Sequence, residues 1–196
     1  MLELAVLGLL HEAPMHGYEL RRQLREAPGA FRACSCGTLY PTLRRMLRAG
    51  LIEEVADDPA AGSGRRARRV YRLTADGVVR FDELVGECGP QACEDASFGV
   101  HVAFFSRTPA DVRLRLLERR RLRVEEQRDG LLQALARSGN GFDRYLVELH
   151  RLQLDRSERE VRWLDEIIRQ ERAEQATSVE DRPRAGANRK DITDEQ

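Results

Sequence analysis

The chain has 196 residues, enough for one large or two small domains with a real core, and its 33 basic and 33 acidic residues cancel. Bulk charge therefore gives no sign of a polyanion-binding protein, and no apolar run approaches the ~20 residues that span a bilayer. The start, Met1-Leu2-Glu3-Leu4, lacks the basic flank of a signal peptide. A cytoplasmic protein with no membrane partner is expected, its four cysteines (Cys34, Cys36, Cys88, Cys93) reduced. The charge is unevenly placed, however. Residues 1–80 carry 13 arginines against 9 acids, a net of +4, and the remainder 20 basic against 24 acidic residues, a net of −4. Such asymmetry points to a nucleic-acid-facing part and a separate partner-facing part.

In chain order, residues 2–12 read as a helix with a wide apolar surface, ending before Pro14. A second helix begins near His16, with Glu19 placed to reach back to free backbone amides and Met15 and Leu20 at staple positions, and stops before Pro28-Gly29. The third opens between Ser35 and Thr38 and ends at Ala49, with Gly50 as its stop. Thr38 is the favoured cap, because Pro41 then falls in the first turn, where it breaks no helical hydrogen bond. Leu39, Leu43, Met46 and Leu47 share one side of this helix; Thr38, Thr42, Arg44, Arg45 and Arg48 fall on or around the other, with Tyr40 at the flank.

Residues 51–55 and 70–73 then read as two short strands around an arginine-rich loop holding Arg65, Arg66, Arg68 and Arg69. A hairpin tip with four guanidiniums has little to bury, and its natural counter-surface is a phosphate backbone. Helix followed by basic hairpin is the sequence form of a winged helix-turn-helix. Thr74 caps a fourth helix over about 75–87, and Gly89-Pro90 marks a domain boundary. Residues 98–105 read either as a strand or as a short buried helix. Thr108-Pro109-Ala110-Asp111 starts a helix, with Thr108 as cap, that runs to about Arg137, with Leu117, Val124 and Leu131 seven apart. A last helix spans about Phe142 to Arg172, with Val147, Leu154, Val161 and Ile168 repeating at seven and Leu164 between them. Two long helices with narrow seams suit a helical hairpin that pairs with another copy.

The architecture expected is mainly α: a winged helix-turn-helix at 1–88 with a small β-hairpin wing, a helical dimerisation and effector region at 89–172, and a disordered tail at 173–196. The N-terminal part resembles the PadR family of bacterial transcriptional regulators. The resemblance is carried by Leu4 to Leu10, by His16-Gly17-Tyr18-Glu19-Leu20, by Gly37 to Arg45, by Ala49-Gly50-Leu51-Ile52 and by Arg66 to Thr74. It implies a homodimeric repressor on double-stranded DNA, with the third helix in the major groove, the wing beside it, and C-terminal helices setting the distance between two readers. It also implies a small aromatic or planar cationic effector near the dimer interface. Cys34 and Cys36 depart from it, sitting where bulky apolar or aromatic residues are commoner.

On this reading Thr38, Thr42 and Arg45 face base edges or phosphates, Arg44 and Arg48 complete the cationic face, and the wing arginines neutralise phosphates. Tyr40 either contacts the backbone or packs beside Leu43. Phe104, Phe105, Val147, Leu154, Val161, Trp163, Leu164 and Ile168 are candidates for the effector pocket or dimer interface, against ordinary packing as the plainer alternative; His101 has the same two readings. His150 on the seam reads as a specificity element. The cysteine spacings fit no common zinc pattern, and no metal or cofactor is expected. Inert thiols compete with a thiol switch beside the third helix. Other functional classes are a winged module that binds protein, and an enzyme; no Walker, Gly-x-Ser-x-Gly, His-Glu-x-x-His or dinucleotide motif is present for the latter.

Overall fold

The structure is a computed structural model and describes residues 1–26, 31, 36–56, 69–137 and 143–180. Helix α1 (Leu2–Glu12) buries every residue from Leu4 to Leu10. A helix apolar on all sides belongs in the middle of a core. After Pro14, strand β1 (Met15–His16) leads into α2 (Gly17–Glu26). A 3-10 turn (Cys36–Thr38) precedes α3 (Leu39–Arg48), so α3 begins directly after Thr38. Thr38 occupies the cap position but makes no side-chain cap hydrogen bond.

The end of α3 is fixed by a Schellman turn. Gly50 takes φ 71°, its N–H donates to the Leu47 carbonyl (3.1 Å), and the Leu51 N–H donates to that of Met46 (3.0 Å). Strands β2 (Ile52–Ala56) and β3 (Arg69–Leu73) follow, antiparallel, with Ile52 opposite Leu73 and Glu54 opposite Tyr71. Strand β1 pairs on the other edge of β3, Met15 opposite Tyr71, giving the order β1-β3-β2. This third strand had no signature in the sequence. Helix α4 (Ala75–Gly86) is capped as expected: the Gly77 N–H donates to the Thr74 hydroxyl at 3.1 Å, and that hydroxyl donates to the Gly50 carbonyl at 2.6 Å. Gly77 must be glycine, because a Cβ there would lie 2.0 Å from the Leu51 carbonyl oxygen. Thr74 and Gly77 thus clamp the start of α4 onto the end of α3.

The stretch left open between strand and helix is α5 (Asp95–Ala103), entered through a 3-10 turn (Pro90–Cys93) and left through another (Phe105–Arg107). It is buried on two sides. Val100 and Phe104 complete the core formed by α1 to α4, while Phe98 and Val102 pack with the long helices α6 (Ala110–Arg137) and α7 (Arg144–Glu180). Helix α6 begins after Pro109, not at it. The Thr108 hydroxyl, expected to cap this helix, is buried and donates instead to the Phe104 carbonyl at 2.9 Å. Helix α7 runs to Glu180, so residues 173–180, expected in a disordered tail, are helical. Glu174-Gln175-Ala176 are good helix formers and the first proline is Pro183; residues 181–196 lie outside the described residues.

Helices α6 and α7 form an antiparallel hairpin. Leu117 and Val124 meet Val161, Leu164 and Ile168 in one cluster with Phe98. The apolar seam is flanked by ion pairs between the helices. Arg113 holds Glu171 through Nε and Nη2 (3.0 and 2.8 Å), and Arg121 and Arg172 reach Asp165 and Glu118 at 2.5 and 2.6 Å. Arg120, 5% exposed, joins three elements: Glu160 on α7 at 2.7 Å, Asp95 on α5 at 2.5 Å, and the Cys93 carbonyl at 3.0 Å, with Phe98 under its guanidinium. Burial pushes its pKa down, but the hydrogen bonds to Glu160 and Asp95 more than reverse this and keep it charged. Among the described residues no helix is long and apolar enough to cross a membrane.

Candidate nucleic-acid interface

The orientation of α3 is set from within. Leu39, Leu43 and Met46 are at most 1% exposed and point into the core. The residues opposite them, Tyr40, Pro41, Arg44 and Arg48, are exposed, as is Thr38 at the start. Helix α3 therefore presents a convex cationic face whose backing does not move, the arrangement that a groove-reading helix needs.

Of the residues expected on that face, Thr42 is placed otherwise, and Arg45 is exposed but engaged by a neighbour. Thr42 is only 8% exposed and is built into the side of the core. Arg45 leans toward α1: its Nη2 lies 3.1 Å from Glu3 Oε2, while Glu3 Oε1 takes Arg80 Nε of α4 at 3.2 Å. Arg80 also binds Glu83 at 2.9 Å, and hydrogen bonds to Glu83 and Glu3 hold its pKa above the ordinary value. Arg45 is thus the α3 terminus of a charge chain across three helices. Arg48 donates from Nε to the Arg44 carbonyl at 3.3 Å, which keeps its head close to the helix end.

Tyr40 lies between the core and solvent. Its ring packs at Gly17, where an added Cβ would come within 3.3 Å of it, yet 45% of the residue is exposed. Tyr71 shares that contact from β3 and is buried. Burial, then Glu54, raise its phenol pKa against the pull of Arg69. On the wing, Arg69 pairs across the strands with Glu54 (3.1 Å) and Arg72 with Glu53 (2.6 Å). Arg65, Arg66 and Arg68 lie outside the described residues.

A second basic surface was not foreseen. Helix α2 exposes Tyr18 (73%) together with Arg21, Arg22 and Arg25, which line a shallow groove with Glu26; His16 and Glu19 line its continuation. Arg22 is held between Glu19 and Glu26, each at 3.7 Å. The signal was present in the sequence, since Tyr18–Arg22 and Arg21–Arg25 are both four apart and opposite the buried Leu20 and Leu24.

The candidate effector residues do not converge. Phe104 is 4% exposed inside the N-terminal core, edge-on to Phe81 and beside Phe31. Phe105 is half-buried between the two small clusters beside α6. Val161, Leu164 and Ile168 are consumed by the contact with α6 of the same chain, and Val147 and Leu154 are half-buried nearer the turn. Trp163 is 44% exposed on the outer side of α7, edge-on to Phe98. His101 is 2% exposed, and neither of its ring nitrogens has a partner among the described residues; burial, then the amino terminus, lower its pKa.

A helix-turn-helix on a three-stranded sheet, with α3 displayed beside a β2–β3 hairpin, defines the N-terminal unit as a winged helix. Residues 6–83 match the family model described as transcriptional regulator PadR-like family. No curated protein matches the chain by sequence. It is similar to Bacillus subtilis PadR in complex with operator DNA (20% identity over 86% of this chain and 97% of that one, TM-score 0.42). It is also similar to a PadR family regulator from Clostridium difficile (26%, 42% and 81%, TM-score 0.37) and to the Vibrio cholerae virulence activator AphA (20%, 88% and 99%, TM-score 0.39).

Proposed function

We propose that the protein is a dimeric repressor that grips duplex DNA with the exposed face of α3 and the wing. The observation that carries this reading is the fixed display of Tyr40, Arg44 and Arg48 on the outer side of a helix whose inner side is locked into the core. Arg44 and Arg48 are the base or phosphate contacts nearest the groove. Arg69, with Arg65, Arg66 and Arg68, neutralises phosphates beside it, and Thr38 meets the backbone at the helix start. Thr42 acts from behind this face by packing, and Arg45, exposed and linked to Glu3, stands at its edge. Tyr18, Arg21 and Arg25 add backbone contacts from α2, the helix that crosses the phosphates in this class of reader.

Pairing of two copies is supported by α7. Tyr145, Leu149 and Leu152 are 78%, 48% and 43% exposed at 4-3 spacing, and Trp163, 44% exposed, follows eleven residues on, past Arg156 and Arg159 at the intervening positions. A twofold dimer implies an inverted repeat with half-site centres about one DNA turn apart, ~34 Å. An effector acts by favouring one head spacing over the other; of the clefts between α6 and α7, the one lined by Arg120 with Asp95 and Glu160 also reaches α5, the link to the winged unit. Selection of bound fragments from a random duplex pool tests the reading. An enriched inverted repeat with that spacing supports it, and a pool that stays random removes it in favour of a protein-binding winged module.

A further inference from the structure

Two thiols flank the joint between the winged unit and the helical hairpin. Cys88 follows the end of α4 and is half-buried; Cys93 closes the 3-10 turn that leads into α5 and is 3% exposed. Both pack in one small cluster with Val112 and Leu116 of α6, and the Cys93 thiol points at the Leu116 carbonyl (3.8 Å). The same turn of α6 carries the guanidiniums around them. Arg119 donates to the Cys88 carbonyl and Arg120 to that of Cys93; Arg115, paired with Asp111 at 2.8 Å, has its pKa held above the ordinary value by the neighbouring Cys88 side chain and then by Asp111. The two residues are separated by four others, and the Ala92 N–H donates to the Gly89 carbonyl at 3.0 Å within the 3-10 turn between them.

We propose that Cys88 and Cys93 form a peroxide-reactive dithiol, with Cys88 as the attacking and Cys93 as the resolving thiol. Cys88 is the one that solvent reaches, and Arg115 stands where negative charge on its sulfur needs a counter-ion. The Cys88 thiolate attacks one oxygen of a hydroperoxide, the O–O bond breaks, and the departing alkoxide takes up a proton to leave as the alcohol. Cys88 is then a sulfenic acid. The Cys93 sulfur attacks the Cys88 sulfur and expels hydroxide, which leaves as water with the Cys93 proton. Two thiols and one hydroperoxide have become a disulfide, one alcohol and one water. Burial raises the pKa of Cys93, so its attack is the slower step, and it must leave the Leu116 carbonyl to make it. The bridge therefore reshapes the contact between the 3-10 turn and α6, the seat of the helical hairpin.

The test uses the full chain without DNA, so its outcome is independent of the DNA-binding reading. After treatment with hydrogen peroxide and alkylation, the tryptic peptide 81–107, which holds both thiols, should emerge unalkylated and lighter by two hydrogens, and a dithiol should reverse the change. With Cys93→Ala, Cys88 should be trapped by dimedone as the sulfenic acid; with Cys88→Ser, the peptide should carry no oxidation. Arg115→Met should slow the bridge severalfold while circular dichroism stays unchanged. Alkylation of both thiols after peroxide overturns the proposal. So does oxidation confined to the peptide 33–44 with Cys34 and Cys36, or a native chain that reacts no faster than the urea-unfolded one.

Discussion

Phe104 separates two accounts of the same aromatic residue, one as the wall of an effector pocket and one as a plug in the core of the winged unit. Its ring is buried against Phe81 at 5.5 Å and Phe31 at 6.1 Å, and it sits so close over α1 that a Cβ on Gly8 would come within 2.1 Å of its Cζ. Removing it as Phe104→Ala leaves a void at the meeting of α1, α4 and α5 and should cost about 3–5 kcal/mol. Gly8→Ala alone should cost about 1–3 kcal/mol, because the ring must withdraw into a packed core. In the double variant the methyl added on α1 enters space the ring has vacated, so the two costs should not add; the coupling should favour the double variant by about 1–3 kcal/mol. Urea unfolding at neutral pH, with slopes compared to confirm that the same surface is exposed, measures all four corners of this cycle. Additive costs, or a loss below about 1 kcal/mol for Phe104→Ala where the core-plug account expects about 3–5, would refute this placement of the ring.

Other consequences are more local. Thr74→Ala removes both the cap of α4 and the bond to the Gly50 carbonyl and should cost ~1 kcal/mol or slightly more by denaturant unfolding, whereas Thr74→Ser should restore nearly all of it. Arg120→Met removes the bonds to Glu160, Asp95 and the Cys93 carbonyl but leaves carboxylates that water can reach, so it should cost roughly 1–3 kcal/mol, and proteolysis should then begin in α6 and α7. His101 contributes a pH dependence whose sign follows from its lowered pKa: the unfolded chain takes up the proton first as pH falls below 6.5, so stability drops from there downward until the folded-state pKa is passed. Melting temperature from about pH 7.5 to about pH 5 should therefore fall less steeply in His101→Leu than in the parent. Tyr18→Ala and Arg25→Ala should weaken DNA binding with no change in melting temperature, and equal affinities for parent and variants would remove α2 from the interface.

The order of helices was legible because punctuation and periodicity agree. Pro14, Gly50, Thr74 and Pro109 each mark an element end that the structure places within a residue or two. What escaped depends on partners distant in sequence. Strand β1 is two residues long and exists because β3 lies beside it, with no alternation of its own. Helix α5 hid its class by burying opposite sides in different clusters, so Val100 and Phe104 face one core while Phe98 and Val102 face another. On α3, a helical projection placed Thr42 and Arg45 near the outer face, but Thr42 lies on the core's flank and Arg45 finds Glu3, 42 residues away. The heptad repeat on α7 showed that a partner exists, without saying that α6 of the same chain takes Val161, Leu164 and Ile168. Tyr145, Leu149, Leu152 and Trp163 remain exposed on α7 outside that contact.

If arginines on the outer face of α3 replace counterions on duplex DNA, the salt dependence of binding reports their number. Fluorescence anisotropy of a selected fragment, titrated across a range of salt for the parent and for Arg44→Ala with Arg48→Ala, measures this directly. The slope of log affinity against log salt should fall in magnitude by about 1.8 for the loss of two phosphate contacts, at ~0.9 each. An unchanged slope, with both proteins equally folded, would contradict the account.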